Sequence, residues 1–271
     1  MSKMYYVGGA VRDYFIRYCH PEDSRRASKD IDFAVEVDSY YKMLEYLKNS
    51  FEVEVVQEDA DFGRIIGKIA KTALNNHPIL EQVQGKYLFA DFVLCRKDGC
   101  YSDHRRPDKI EYASIEEDLA RRDFTINSLA IPVDGSHDEV LDPFNGISDI
   151  RRKQLRFNGS IYDRVTEDYL RVLRLYRFLV TLHTPVANFQ DTEIEWTIPK
   201  RTTTAIQHYS SVFAKGIKTY VSEDRIREEL LKMFKYNTLH ALYVLSQKVP
   251  HELRKAMLGG TIWLEPTSRK K

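Results

Sequence analysis

Short β-rich runs punctuate this chain up to about residue 150 and then nearly vanish, and that change of pattern constrains the fold more than any other feature. Runs rich in Val, Ile, Tyr and Phe at residues 4–7, 31–37, 51–56, 64–70 and 86–95 read as strands. Between them Tyr40, Met43, Leu44 and Leu47 recur at helical spacing and predict a helix over 40–49. Ser114, three residues before Glu117, is a capping-box signal for a helix over 114–120. Residues 97–107 form a polar loop punctuated by Gly and Pro. Beyond Arg151 the stretches 167–182, 202–209, 222–236 and 239–247 read as helices, with Ser222 at an N-cap position. The expected architecture is an α/β head over residues 1–150 joined to an all-helical extension.

Charge changes sign at the same boundary. Residues 1–150 carry 19 Lys and Arg against 28 Asp and Glu, whereas residues 151–271 carry 22 against 12. An acidic half joined to a basic half suggests a metal-holding part beside a part that grips a polyanion. No window approaches 18 consecutive apolar residues and the first nine residues lack a secretory apolar stretch, so a cytoplasmic protein is expected. Cys19, Cys95 and Cys100 form no CxxC pair and read as inert thiols of a reducing compartment.

Five segments carry candidate chemistry. Gly8-Gly9-Ala10-Val11-Arg12-Asp13 follows a strand and opens a helix; it reads either as a tight turn or as a phosphate cradle to which Arg12 adds a charged contact. In Asp30-Ile31-Asp32, alternation along a strand points both carboxylates the same way. Two adjacent carboxylates repel unless a cation sits between them, and Mg²⁺ suits an all-oxygen site that also takes phosphates. Asp91 heads a further apolar run and offers a third carboxylate or an ordinary strand end. Arg121-Arg122-Asp123 could clamp a nucleotide or a nucleic-acid backbone, with Asp123 orienting an arginine, while Asp142-Pro143-Phe144-Asn145-Gly146 reads as turn chemistry. Asp168, Arg171, Arg174 and Arg177 recur every third residue along a single expected helix, leaving surplus positive charge for a triphosphate or an RNA backbone.

Taken together, GGAVRD at 8–13, DID at 30–32, RRDFTINSLA at 121–130, DPFNGISDI at 142–150 and EDYLRVLRLYRF at 167–178 resemble the class II tRNA nucleotidyltransferases (CCA-adding enzymes) and the related bacterial poly(A) polymerases. VSEDRIREELLKMF, ending at Phe234, is similar to the next helix motif of that family. The resemblance implies a head of the DNA polymerase β-like nucleotidyltransferase superfamily over 1–150, a helical neck over 151–236 and a shortened helical body over 237–271. It implies that Asp30 and Asp32 hold Mg²⁺ with Asp91 as the third carboxylate, and that Gly9 and Arg12 meet phosphates. Arg122, Arg174 and Arg177 match nucleotide contacts, and Asp168 with Arg171 matches the pair that reads the incoming base. Asp103, Arg105 and Arg106 match the charged core of a flexible loop that would switch the base pocket from C to A. Three departures stand out: a longer segment between Asp13 and Asp30, an apparent insertion over 72–84, and only about 35 residues beyond the last motif.

The implied reaction is attack of an RNA 3′-hydroxyl on the α-phosphorus of CTP or ATP, with release of pyrophosphate. Cytosine and adenine both pair an exocyclic amino donor with a ring-nitrogen acceptor, which a carboxylate and a guanidinium can read without a nucleic-acid template. CCA addition to the tRNA 3′ end leads this reading, with poly(A) or other RNA tailing as its alternative. A non-catalytic RNA-binding protein with a relict head is the third reading, and the intact motifs argue against it.

Overall fold

The computed structural model describes residues 2–21, 30–81, 83–99, 104, 110–135, 139–183 and 196–259. Two compact units emerge: residues 1–102 with 107–159, and residues 103–106 with 160–271.

The first unit is built on a mixed six-stranded sheet. Its strands are β1 (Lys3–Val7), β2 (Ile31–Glu36), β3 (Glu54–Asp59), β4 (Arg64–Ala70), β5 (Tyr87–Leu94) and, after a short antiparallel pair β6 (Arg96–Asp98) and β7 (Ile110–Tyr112), β8 (Ala130–Pro132). Their order is β3-β4-β5-β2-β1-β8. Every pairing is antiparallel except β2 with β5. Alternation along the strands sends Tyr6, Phe33 and Phe92 into one core, where Phe33 stacks on its register partner Phe92 at 5.0 Å. A second cluster gathers Tyr5, Val7 and Ala34 with Ile115 and Leu119 of α3 (Ile115–Ala120). Helix α3 carries the expected capping box between Ser114 and Glu117.

Between β1 and β2 runs α1 (Gly9–Cys19), and between β2 and β3 runs α2 (Tyr40–Phe51). Ser39 caps α2 by accepting from the Lys42 N–H, and Met43 and Leu47 are fully buried. This helix runs two residues past the expected 40–49 and ends where Glu52 turns left-handed at φ 50°. Strand β3 therefore starts at Glu54, not at residue 51. The segment read as an insertion over 72–84 is part of the core: Leu74, Ile79 and Leu80 are buried, and the Tyr6 hydroxyl donates to the Leu74 carbonyl at 3.2 Å. The unit closes with α4 (Gly146–Arg151), whose first N–H groups donate to Asp142, bearing out the turn reading of that segment.

The described part of the second unit is helical: α5 (Ile161–Glu167), α6 (Leu170–Thr181), α7 (Lys200–His208), α8 (Ser210–Tyr220), α9 (Glu223–Tyr236), α10 (Thr238–Tyr243) and α11 (His251–Leu258). A π-helical turn over Val244–Lys248 prolongs α10. The single helix expected over 167–182 is broken. Asp168 is extended (φ −148°, ψ 105°), and its Oδ1 accepts the Leu170 N–H at 3.0 Å, ending α5 and starting α6. Helix α8 was not foreseen. Its Gly216 lets Tyr169 approach so closely that a Cβ there would lie 2.1 Å from the tyrosine ring. Ser222 stands at the start of α9, but its side chain makes no capping bond. Among the described residues no helix is long and apolar enough to cross a membrane. Cys19 and Cys95 are free thiols, and burial, seconded by the Asp118 carboxylate, pushes the Cys95 thiol well above its ordinary range.

Candidate active site

Parallel pairing of β2 with β5 sets Asp32 directly beside Asp91. Their strand neighbours Ile31, Phe33, Ala90 and Phe92 are buried, so period-two alternation puts both carboxylates on the opposite face of the sheet. Asp30, exposed, immediately precedes β2. Burial first, then the Asp91 and Asp30 charges, push the Asp32 carboxyl up to about 6, against the opposing pull of Arg122 and Arg64. A carboxylate held that far from its ordinary range is short of positive charge.

Gly8 supplies the close approach. Its φ of 74° is a conformation that side chains disfavour, and a Cβ there would sit 2.9 Å from Asp32 Oδ2. Gly9 is then the first residue of α1, so helix-start N–H groups open beside Asp32, whose register partner on β1 is Val7. Arg12 donates to Asp13 Oδ1 through Nε at 2.8 Å and to Asn127 Oδ1 through Nη1 at 2.9 Å. Asn127 in turn donates to Asp123 Oδ1 at 3.0 Å, tying GGAVRD to RRDFTIN.

Arg121 and Arg122 converge on a single buried acid. Asp118 accepts from Arg121 Nη2 at 2.6 Å and from Arg122 Nη2 at 2.9 Å. Burial would raise Asp118, yet the guanidiniums of Arg122 and Arg121 outweigh it and hold the carboxyl below its usual range. A second buried acid, Asp149, accepts from Thr125 Oγ1 at 2.6 Å and from Arg156 Nε at 2.9 Å. Neither acid was singled out from sequence, although both lie beside or within quoted motifs.

Asp91 meets a residue that the sequence reading passed over. Arg64 of β4 grips it with both arms of the guanidinium, Nε to Oδ1 at 2.7 Å and Nη2 to Oδ2 at 2.9 Å. Among the described residues no three carboxylate, imidazole or thiol groups converge on one point that could hold an ion.

In the second unit the residues read as base-selecting have other partners. Asp168 Oδ2 accepts from Arg225 at 2.8 Å, and Arg171 donates to Glu167 at 2.5 Å and to the Arg164 carbonyl at 3.1 Å. Arg177 donates to Glu229 of α9 at 2.5 Å with its guanidinium over the Phe178 ring, and Arg174 is half-buried on α6. Because α5 ends at Glu167, Asp168 stands before the arginine ridge and not on it. The loop residues Asp103, Arg105 and Arg106 lie outside the described residues. Their neighbour His104 packs against Tyr169 and Tyr220, and its Nδ1 contacts the Thr166 carbonyl.

The arrangement has clear relatives. Residues 4–156 match the poly A polymerase head domain model. The chain is 31% identical over 230 residues to the CCA-adding enzyme of Lactobacillus delbrueckii subsp. bulgaricus, covering 84% of this chain and 46% of that one. It is 30% identical over 250 residues to the CCA-adding enzyme of Listeria monocytogenes, covering 92% and 51%. The Bacillus stearothermophilus CCA-adding enzyme in complex with CTP superposes with a TM-score of 0.63 at 23% identity, over 93% of this chain and 50% of that one. A tRNA nucleotidyltransferase with a primer tRNA and an incoming ATP analog gives 0.66 at 23%, over 97% and 61%. The chain thus spans about half the length of the curated relatives it matches. The sheet with its paired acids is a poly A polymerase head domain followed by a helical region, and the chain belongs to the poly A polymerase head-domain family.

Proposed function

We propose that this protein transfers CMP and AMP from CTP and ATP to the 3′ end of tRNA, building the CCA terminus without a nucleic-acid template. The observation that carries the reading is the register pairing of Asp32 with Asp91 beside the side-chain-free turn at Gly8. The donor set fits a hard divalent cation: it is all oxygen, and Asp32 is held unusually hard to ionise by burial and its acidic neighbours. Asp30 and Asp32 would hold magnesium, with Asp91 as the third carboxylate. When bound, the cation supplies charge neutralisation to the triphosphate and acidifies the attacking hydroxyl.

The rest of the work falls to the chain. N–H groups of α1 opening at Gly9 face the phosphates. Arg12 and Arg122, braced by Asn127 and Asp118, set positive potential around them. In the second unit Asp168 accepts from the exocyclic amino group shared by cytosine and adenine, Arg171 donates to the ring nitrogen, and Arg174 and Arg177 lend positive charge. In the resting fold Arg225 and Glu167 hold the selecting pair, so the base takes the place of those partners. The reading assigns residues 1–150 to the head, 151–236 to the neck and 237–271 to the body, places the C-to-A switch in the loop bearing Asp103, Arg105 and Arg106, and locates the reaction in the cytoplasm.

The test is incubation with tRNA lacking its 3′ end, labelled CTP or ATP, and Mg²⁺, with products sized on a gel. Three added nucleotides support the proposal, and a long adenylate tail would assign the chain to the alternative activity. Asp32→Ala should abolish addition while leaving tRNA affinity nearly intact. Turnover above a tenth of wild type would overturn the assignment of that carboxylate.

A further inference from the structure

Strand β4 alternates sharply: Ile65, Gly67 and Ile69 face the core, while Arg64, Ile66 and Lys68 lie on the other face. In the antiparallel ladder with β5, Ile66 stands opposite Asp91 and Arg64 opposite Val93. Arg64 is therefore the diagonal neighbour of Asp91 on the face that also carries Asp32, and a long side chain spans that diagonal. The result is a two-pronged ion pair that engages both oxygens of Asp91.

Its contribution to stability is modest. The Arg64 side chain is 43% exposed and that of Asp91 34%, and ion pairs so open to water contribute little to folding. What the pair does change is charge and lone-pair availability. Of the acids clustered at Asp32, the one beside it in register has both oxygens engaged by a guanidinium. We propose that Arg64 is a resident counter-ion that competes with divalent cations for Asp91, so that one cation binds at Asp30 and Asp32 while a second must first displace the guanidinium. Arg64 is thus a positioning residue that makes occupancy of the third carboxylate conditional. The proposal rests on the metal-dependent transferase reading above.

Mn²⁺ titration of the full chain, followed by loss of the free-ion paramagnetic resonance signal without nucleotide or RNA, tests it directly. Wild type should bind one Mn²⁺ tightly and a second at least tenfold more weakly than Arg64→Gln does. Arg64→Lys, which keeps the charge and loses the fork, should fall between them. Adding Asp91→Asn to Arg64→Gln should remove the gained affinity. Equal stoichiometry and affinity in wild type and Arg64→Gln, with Asp32→Asn still losing Mn²⁺, would overturn the role of Arg64 alone. Mn²⁺ binding untouched by Asp32→Asn would overturn the transferase reading itself.

Discussion

Replacing Asp32 by Asn should make the cation-free protein more stable while removing its chemistry. The magnitude follows from the carboxyl's position at about 6 in the folded chain against an ordinary 3.8. A raised carboxyl favours the protonated form in the fold, so its stabilising contribution is complete below the unfolded value and is lost as pH rises through 6. At pH 7.5 that loss comes to about 3 kcal/mol, treated as an upper bound, and at pH 5 to about half of it. Asparagine keeps the shape and carries no charge, so the variant regains the difference. In EDTA at pH 7.5, urea unfolding should show Asp32→Asn more stable by about 1–3 kcal/mol, raising the melting temperature by about 2–4 °C per kcal/mol. The advantage should shrink by about half at pH 5, and Mg²⁺ should stabilise wild type alone. A variant no more stable than wild type at pH 7.5, or an advantage independent of pH, would refute the picture of a carboxylate short of positive charge.

Gly8→Ala forces a side chain into a left-handed backbone and into Asp32 Oδ2, so it should cost about 1–2 kcal/mol and, by pushing the carboxylate aside, weaken Mn²⁺ binding measurably by titration. Asp118→Ala leaves Arg121 and Arg122 without their shared acid and should destabilise the first unit by about 3–5 kcal/mol in urea. Because Asp118 titrates below its ordinary range, that contribution is present at neutral pH and fades only as acid carries the sample below about pH 4, which a pH series of melts would show. Gly216→Ala drives a methyl group into the buried Tyr169 ring and should cost about 1–3 kcal/mol or more, read as a lower unfolding midpoint of the helical unit.

The strands bearing the acids were legible because Val, Ile, Tyr and Phe concentrate in them: 31–37, 64–70 and 86–95 differ from β2, β4 and β5 by no more than a residue at either end. Elements governed by one side chain's hydrogen bonds were not. The apolar spacing over 167–182 is continuous, and the extended backbone of Asp168, whose side chain accepts the Leu170 N–H, divides it. Residues 51–56 have strand-like composition, yet the left-handed turn at Glu52 starts the strand late. Helix α8 contains Gly, Ser and β-branched residues that weaken a local signal, and packing of Gly216 on Tyr169 overrides it. Asp30 and Asp32 were readable as a pair because they lie two residues apart at the head of one apolar run, although only Asp32 is on β2 and Asp30 just precedes it. The pairing of Arg64 with Asp91 depends on interstrand register, which no spacing within a segment reveals.

That register also dictates when the centre comes into being. Asp32 and Asp91 are nearly sixty residues apart, and the strands that carry them are joined through α2, β3 and β4. Parallel neighbours cannot be closed by a hairpin, and bringing such distant segments together carries a large loop-closure entropy before any contact rewards it. During synthesis, a nascent chain that has not yet released β5 has one half of the pair and none of the other. Capture of a second cation through Asp91 therefore cannot precede the pairing of β2 with β5, and the onset of the weaker Mn²⁺ binding after dilution from denaturant becomes a clock for that pairing.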